Sequence, residues 1–521
     1  MPADGAAPTV VGVGPGGDLT PQLIDADVWT DEMVQAAGIP VVDSPFVTVG
    51  GGMGSFVIAD FLRVYGLPAA SIKVLSVLDY PWQTYEYLTQ CSQIPARERL
   101  RSDSSSMPDN LWGFPSYALI ESWREKTVAP IWNVLTENIF CDYWTPRAGT
   151  VFKGMQKEAD RIGYWPMRAK GQVRMVRRRH GGGYFSILTP PDGTTPTRRV
   201  AYRSLVVHLA IGYPGLKFLP DLQSYRETYN DHERVVNAYE PHEHVYDELR
   251  RKPGVVLVRG GGVVASRILQ RLIDDRDNFG AQTNIIHLFR TFIDGPHGPN
   301  LFNRRRGANG WAFQGFNYPK SAWGGQHWAR FRKLEGDDRK QAYKVIGGTN
   351  TPRRKSWLNQ QARGRKEGWY RVYVGEVRRV LPGESGTVMT EIHNPKDADR
   401  SPILEVPANF VIDCTGLEAD IAEHRVLADL IEHSGAGRNV LDRLDVERTF
   451  EVRGTRSPPG RMYATGAATL GGYFPGVDTF LGLQLATREV VDDIVELGLV
   501  RRMGSARSMA QWARWTRGVE P

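Results

Sequence analysis

The chain has 521 residues, 41% of them apolar and 24% charged, which fits a water-soluble globular protein of two or three domains. No apolar run is long enough to span a bilayer, the first residues lack a secretory pattern, and three scattered cysteines (Cys91, Cys141, Cys414) form no Cys-x-x-Cys pair. The net charge of +7 is local, because residues 301–380 hold 19 Lys and Arg against five Asp and Glu. We therefore expect a cytoplasmic protein without disulfides and with one basic region.

Residues 1–45 are rich in Pro, Gly and Asp. The glycines of VVGVGPGG (10–17) resemble a nucleotide-binding turn, but few apolar residues precede them and no clean helical pattern follows. We interpret this stretch as a leader packed on the surface.

The stretch FVTVGGGMGSFVIADF (46–61) predicts a buried strand, a tight glycine turn and a helix that starts near residues 53–55. In this pattern Gly50 makes the turn, and Gly52 lets a pyrophosphate approach the backbone. Gly54 falls in the first helical turn, and Ser55 is small enough for helix and strand to touch. The free N–H groups of that helix end would then face the phosphates.

A second strand is predicted at 71–79, and it ends in Asp79, 24 residues after Ser55. An acid at this place can accept hydrogen bonds from the ribose hydroxyls of adenosine. The alternative is a sharp strand-to-helix turn that binds no ligand.

Residues 80–170 interrupt this first unit. Arg99 and Arg101 could pair with a pyrophosphate, and Trp112 could lie along a ring system; alternatively the arginines are solvated and the tryptophan is core. From 171 to 212 the apolar and polar residues alternate around a PDG turn, which predicts strand hairpins and a buried strand over 204–212.

A second glycine turn follows in PGVVLVRGGGVVASRILQRLIDD (253–275). Gly260, Gly262 and Ala265 give Gly-x-Gly-x-x-Ala, and Ser266 is a further candidate for cofactor contact at the start of the helix. The next predicted strand ends in Arg290, which can pair with a ribose 2′-phosphate that an acid would repel. We therefore expect FAD at the first turn and NADPH at the second; the alternative for Arg290 is a surface charge.

Together with a strand over 405–416 and the stretch RMYATGAATLGGYFPGVDTF (461–480), these two turns resemble the two-dinucleotide-binding-domain flavoproteins. Within that superfamily the chain is most similar to the class B flavin monooxygenases, and in particular to the N-hydroxylating amine monooxygenases. Before the second turn it lacks the Phe-x-Gly-x-x-x-His-x-x-x-Trp pattern of Baeyer–Villiger enzymes.

The resemblance implies an α/β fold with two Rossmann-like dinucleotide-binding domains, for FAD and NADPH, a β-rich segment and inserts. We expect a leader over 1–45, the FAD-binding domain over 46–220 and 405–521, and the NADPH-binding domain over 221–404 with a basic, aromatic insert at 291–380.

The resemblance also implies that Gly466 ends a strand beside the flavin, and that Val477, Asp478 and Thr479 bring backbone N–H groups to the flavin N1/O2 edge. Many relatives have Gly-Asp at that strand end, whereas this chain has Gly466-Ala467. The implied chemistry is hydride transfer from NADPH to the flavin, formation of a C4a-hydroperoxyflavin, and oxygen transfer to a nucleophilic, amine-like substrate. No catalytic side chain and no metal site are predicted.

Two alternatives stay open. One is a reductase that passes electrons to an acidic iron–sulfur protein through the basic insert, and the other is a non-catalytic flavin-binding scaffold. The insert could also cover the active site or hold an anionic small-molecule substrate, and a plain basic surface is its simplest interpretation. Nucleic acid is a less favoured partner and a membrane is not expected, while the oligomeric state, including a homo-oligomer, stays open.

Overall fold

A computed structural model describes residues 16–100, 116–136, 144–295, 306–313, 326–346, 354–393 and 403–521. The predictions for Arg101, Trp112 and most of the segment 10–17 lie outside these residues. Within the described part of the chain, no helix is both long enough and apolar enough to cross a membrane.

The strands of the described residues are numbered in chain order. They are β1 (Val28–Trp29), β2 (Val41–Asp43), β3 (Phe46–Val49), β4 (Ile72–Ser76), β5 (Arg168–Lys170), β6 (Gln172–Arg179), β7 (Tyr184–Thr189), β8 (Val200–Ser204), β9 (Val206–Leu209), β10 (Gly215–Leu216), β11 (Val235–Asn237), β12 (Gly254–Arg259), β13 (Thr283–Phe289), β14 (Arg306–Ala308), β15 (Trp311–Phe313), β16 (Tyr370–Val374), β17 (Glu376–Pro382), β18 (Val388–His393), β19 (Ile403–Ala408), β20 (Phe410–Asp413), β21 (Leu417–Glu418) and β22 (Arg461–Ala464).

The α-helices are numbered in the same way. They are α1 (Pro21–Asp25), α2 (Asp31–Ala36), α3 (Met53–Val64), α4 (Gln83–Cys91), α5 (Ser116–Glu125), α6 (Ala129–Thr136), α7 (Ala148–Ile162), α8 (Pro220–Tyr229), α9 (Glu243–Arg251), α10 (Val263–Phe279), α11 (Gln326–Phe331), α12 (Gly336–Ile346), α13 (Lys355–Glu367), α14 (Arg425–His433), α15 (Phe480–Glu496) and α16 (Ser505–Thr516).

The first sheet has the order β22-β9-β3-β4-β5, and all its strands run parallel. Strand β3 is buried at every position, as expected for the centre of a parallel sheet covered on both faces. Helices α3, α7 and α15 pack together in its core. This arrangement confirms the predicted strand–turn–helix–strand fold of the first unit, including a buried strand within 204–212.

The second sheet has the order β11-β20-β12-β13-β16 and is also parallel throughout. Helix α10 follows β12, and its apolar positions pack on the sheet as the spacing predicts. Strand β20, which lies within the predicted strand 405–416, pairs with β11 and β12 of this sheet. The two-domain α/β fold is confirmed.

A third sheet, of order β1-β6-β7-β8-β2, corrects the interpretation of the N-terminal segment. The predicted hairpins form β6, β7 and β8, and the described part of the leader supplies both edge strands. Trp29, Val34 and Ile39 pack against Phe185 and Ile187 in a small core. A strand of only two or three residues carries too little periodicity to be recognised in the sequence.

The two dinucleotide domains are joined through the turn after α4. Gln93 donates from Nε2 to a carboxylate oxygen of Glu243 (2.6 Å), and its own oxygens accept from Arg267 and Arg271 of α10. Arg267 is buried, so this contact is part of the interior.

Candidate functional site

One continuous cavity of about 1950 Å³ is lined by both glycine turns and by the C-terminal element. Drug-sized ligands occupy pockets of roughly 300–1,000 Å³, so this volume suits more than one such ligand. The predicted site residues that line the cavity are Gly50, Gly52, Gly54, Gly260, Gly262, Arg290, Gly466, Asp478 and Thr479. A smaller cavity of about 420 Å³ lies beside Arg378 and His393 and shares Glu376 and Val377 with the lining of the large cavity.

In the first turn, two glycines have no space for a side chain and the third one does. Gly50 has φ +131°, and a Cβ there would stand 2.3 Å from the carbonyl oxygen of Ala210. Gly51 has φ +75°, and its Cβ would stand 2.1 Å from Cβ of Ser76. At Gly52 a Cβ would meet nothing within 4 Å. The Gly52 backbone is therefore open to a ligand in the cavity, at the N-terminal end of α3.

Helix α3 approaches its neighbours closely at both Gly54 and Ser55. A Cβ on Gly54 would stand 3.0 Å from Cβ of Ala210. Ser55 is fully buried and does not line the cavity; its Oγ accepts from the Gly51 N–H (3.0 Å) and bonds Oγ1 of Thr48 (2.8 Å). Ser55 therefore supports the turn from beneath.

This polar chain continues through a buried histidine. The Nδ1 atom of His208 lies 3.0 Å from Oγ1 of Thr48, and its Nε2 atom lies 2.9 Å from Oγ1 of Thr465, the residue before Gly466. Burial lowers the pKa of His208 to about 3, so the ring is neutral and can both donate and accept. Thr48, Ser55 and His208 thus connect the first glycine turn to the strand end of the C-terminal element.

The second turn has nearly the same backbone conformation as the first, but different side chains support it. Gly260 has φ +128°, and a Cβ there would stand 2.8 Å from the carbonyl oxygen of Cys414. His287 on β13 donates from Nε2 to the Gly260 carbonyl (2.7 Å) and accepts at Nδ1 from the Tyr370 hydroxyl (2.9 Å). Burial lowers the pKa of His287 to about 4, so it too is neutral. Phe289 lies against Gly261 and lines the cavity.

Two predicted residues of the second helix lie away from the cavity. Ala265 is fully buried in the core of the second domain. Ser266 is buried as well, and its Oγ donates to the carbonyl of Val263 (2.6 Å). The structure therefore gives both residues a packing role, and the prediction of a cofactor contact by Ser266 is not supported by its position.

The two strand-end charges differ in their surroundings. Arg290 follows β13, is exposed, lines the cavity, and has no carboxylate partner among the described residues. Asp79 lies three residues beyond the end of β4, outside the cavity lining, and forms an ion pair with Lys170. That hydrogen bond lowers the pKa of the Asp79 carboxyl. Arg290 is thus placed to bind an anion, whereas Asp79 already has a partner.

The C-terminal element has the predicted strand and helix, but Thr479 and Val477 lie differently from the prediction. Strand β22 ends before Thr465 and Gly466, and α15 begins after Thr479. The Thr479 N–H donates to the carbonyl of Gly476 (3.1 Å), and its Oγ1 accepts from the Gly482 N–H (3.0 Å). Thr479 is therefore a helix cap, and its N–H is not available to a flavin. Val477 is fully buried and outside the cavity lining.

Asp478 contributes a side chain rather than only a backbone group. Its Oδ2 accepts a hydrogen bond from the Tyr213 hydroxyl (2.9 Å), and both residues line the cavity. Burial raises the pKa of the Asp478 carboxyl, and the charge of Asp478, followed by burial, raises the pKa of Tyr213 well above its ordinary value. The pair can hold or accept a proton at the cavity wall. Tyr213 was not predicted, because the loop after 212 carries no motif.

The described part of the insert closes one side of the cavity and fills cores. Tyr343 and Lys344 of α12 line the cavity, and the Tyr343 hydroxyl donates to the Gly472 carbonyl (2.9 Å). Trp311 and Trp357 are fully buried in the second domain. Several of its arginines pair with carboxylates of the same chain: Arg332 with Glu489, Arg339 with Glu335, Arg363 with Asp277, and Arg379 with Glu391.

No cluster of three metal-ligating side chains occurs among the described residues. Before the second turn, His242 is buried, with Nδ1 2.7 Å from the carbonyl oxygen of Glu240 and Nε2 2.9 Å from the hydroxyl of Tyr246. His244 bonds the Glu233 carbonyl.

No protein-family model and no curated protein sequence matches this chain. Among solved structures, it is similar to the ornithine hydroxylase of Pseudomonas aeruginosa (14% identity, 87% of this chain, 99% of that chain, TM-score 0.59). It is also similar to the FAD-bound cadaverine monooxygenase of Erwinia amylovora (14%, 89%, 98%, 0.60) and to the ornithine N-hydroxylase of Kutzneria sp. 744 with reduced FAD, NADP⁺ and L-ornithine (13%, 88%, 100%, 0.61). The chain therefore shares the fold of N-hydroxylating flavin monooxygenases over most of its length.

Proposed function

We propose that this protein is an FAD- and NADPH-dependent monooxygenase that hydroxylates a nucleophilic, amine-like nitrogen of a small molecule. The observation that carries the proposal is the single cavity onto which two glycine turns, Arg290 and the N-terminal end of α15 all open. The shared fold with the ornithine and cadaverine hydroxylases supports the reaction class.

The residues present fit the two cofactors. At the first turn, the open Gly52 position and the N-terminal end of α3 would take the FAD pyrophosphate. At the second turn, Gly260 and Gly262 would take the NADPH pyrophosphate, and Arg290 would pair with its 2′-phosphate. Arg290 thereby favours NADPH over NADH.

Bound flavin supplies hydride acceptance and oxygen activation, and the protein supplies position and shielding. Tyr343 and Lys344 line one side of the cavity, where they would shield bound cofactors. The Tyr213–Asp478 pair stands at the N-terminal end of α15 and can take a proton from an ammonium substrate. An unprotonated amine is the nucleophile that oxygen transfer requires. The overall reaction consumes NADPH, a proton and O₂, and yields NADP⁺, water and a hydroxylated amine.

Stopped-flow absorbance tests the proposal. FAD-loaded protein is reduced anaerobically by NADPH and mixed with O₂, and a transient C4a-adduct band is expected before the oxidised spectrum returns. Rapid reduction of an added ferredoxin without that band would identify a reductase, and absence of NADPH-driven bleaching would identify a scaffold. A panel of primary diamines and diamino acids, assayed for hydroxylamine products, would then define the substrate.

A further inference from the structure

Helices α5 and α6 form a hairpin with an apolar face toward solvent. Every third or fourth position along each helix is a large exposed apolar residue; they are Leu119, Ile120 and Trp123 on α5, and Val128, Trp132 and Leu135 on and just before α6. Trp123 is 88% exposed, Val128 77% and Leu135 69%. A surface helix normally turns such a stripe toward the core.

The inner face of the hairpin already has its own partners. Tyr117 and Ala118 are buried in the core of the first domain. Glu121 forms an ion pair with Arg99, and Glu125 pairs with Arg147 at 3.0 Å. These contacts hold the hairpin with its second apolar face outward, and no described residue of the chain covers this face.

We propose that this face, which we call the hairpin face, is a homodimer interface in which the α5–α6 hairpins of two copies pack as four helices across a two-fold axis. Its six exposed side chains offer roughly 650 Å² of apolar surface, taking about 200 Å² for a tryptophan and somewhat less for an aliphatic side chain. That area exceeds the largest patch of a typical monomer, ~300–600 Å², and approaches the ~800 Å² that each partner buries in a standard interface.

A second copy fits the face better than a membrane does. An apolar patch is complementary to itself, which is the requirement of a two-fold interface. The six stripe positions carry no charge, and the hairpin's cations, Arg124 and Lys126, lie together at the turn between the helices. An antiparallel two-fold arrangement places the two turns at opposite ends of the contact. Attraction to an anionic lipid surface takes a cluster of roughly four to eight basic residues.

The test is the mass in solution of the full-length protein, measured by light scattering after size exclusion from 1 to 50 µM, roughly the range in which interfaces of this size associate. The wild type is expected at twice the chain mass of 58.4 kDa. The double variant Trp123→Glu, Trp132→Glu is expected at the chain mass, with unchanged circular dichroism. The matched control is Trp512→Glu on α16, where the tryptophan is 49% exposed, and it should stay dimeric.

A wild type that runs at the chain mass at every concentration would overturn the proposal, as would a double variant that remains dimeric. Should the double variant fail to fold, the single variant Leu135→Lys must weaken the dimer at least about tenfold, the effect of ~1.4 kcal/mol. Sedimentation with phosphatidylcholine–phosphatidylglycerol vesicles completes the test. A monomeric wild type that binds vesicles through the hairpin face would identify a membrane as the partner and refute the dimer.

Discussion

The two glycine turns have nearly the same backbone but different supports. Gly50 and Gly260 have φ of +131° and +128°, and each stands against a carbonyl of a neighbouring strand end. Beneath each turn lies a buried, neutral histidine. His208 connects the first turn to the C-terminal element through hydroxyl groups, whereas the hydrogen bonds of His287 among the described residues join the second turn to Tyr370 of the same sheet.

This difference suggests how each ligand is held. A ligand on the first turn lies between elements that are tied to each other through Thr48, His208 and Thr465, which suits a cofactor that stays bound. A ligand on the second turn is fixed by one domain and by Arg290, which has no carboxylate partner among the described residues. That arrangement suits a cosubstrate that must leave after each turnover.

We expect the largest effects from alanine substitutions that disrupt each glycine turn separately. Gly50→Ala places a Cβ 2.3 Å from the Ala210 carbonyl oxygen, and Gly260→Ala places one 2.8 Å from that of Cys414, both at strongly positive φ. We expect the first variant to be colourless after purification, and the second to keep flavin but lose NADPH-driven bleaching. Absorbance at the flavin maximum and anaerobic titration with NADPH measure both. A Gly260→Ala protein without flavin would show that the two turns do not act separately.

Gly52→Ala tests ligand binding at the first turn without straining the protein backbone. A Cβ at Gly52 meets no protein atom within 4 Å, so it would clash only with a ligand that approaches the backbone. We expect unchanged thermal unfolding of the flavin-free protein and FAD binding weakened about tenfold or more, since a blocked phosphate contact loses ~1.5–3 kcal/mol. Gly504→Ala, where a Cβ is also unopposed but lies outside the cavity, is the control. Equal FAD affinity in both variants would place the pyrophosphate elsewhere.

Arg290→Ala tests whether the arginine after β13 selects NADPH, in contrast to the acid Asp79 after β4. Removal of a charge-assisted pair costs ~1.5–3 kcal/mol, so the KM for NADPH should rise about tenfold to a hundredfold while the KM for NADH changes little. Steady-state oxidation of both nucleotides gives the ratio. Arg290→Lys keeps the charge but not the bidentate geometry and should lie between wild type and Arg290→Ala. A parallel loss with both nucleotides would remove the assignment of the 2′-phosphate.

The sequence correctly predicted the parts of the fold whose strand, turn and helix follow one another along the chain. Gly-x-Gly patterns between an apolar strand and a helical period predicted β3–α3 and β12–α10, because strand, turn and helix are contiguous. The buried histidines were missed because their partners are distant along the chain: His208 meets Thr48 and Thr465, 160 and 257 residues away. Nothing in a single sequence records such pairings.

The insert 291–380 shows what could not be predicted from composition. Its tryptophans and arginines suggested a binding surface, yet Trp311 and Trp357 are core and Arg332 and Arg363 pair within the chain. Composition cannot distinguish an exposed aromatic from a buried one, since both satisfy the same residue count. Among the described residues the most exposed aromatic side chain is that of Trp123 on α5, at 88%, although Trp123 follows the same helical spacing as a core residue.

The two histidines predict a shared response to acid. Each has a folded-state pKa near 3 or 4 against ~6.5 in the unfolded chain, so below pH 6.5 the unfolded state binds more protons and stability falls. The slope is about 1.4 kcal/mol per pH unit for each histidine, and above pH 6.5 neither contributes a slope. Urea unfolding followed by circular dichroism at pH 7.5, 6.5 and 5.5 measures it. His208→Gln should flatten the slope below pH 6.5, and the exposed His232→Gln should not; equal slopes in both variants would contradict burial of a neutral His208.

The smallest effect is expected at Asp79, the residue that the strand-end pattern favoured for the ribose. Its side chain is 58% exposed and paired with a half-exposed Lys170, and exposed ion pairs contribute little to stability. Asp79→Asn should therefore leave thermal unfolding unchanged and weaken FAD binding less than about threefold, far less than Gly52→Ala does. Equilibrium titration of the flavin-free protein with FAD measures the difference. A tenfold loss would mean that Asp79 leaves Lys170 to reach the ribose when FAD is bound, and the first strand end would then act on its nucleotide as directly as Arg290 does on the second.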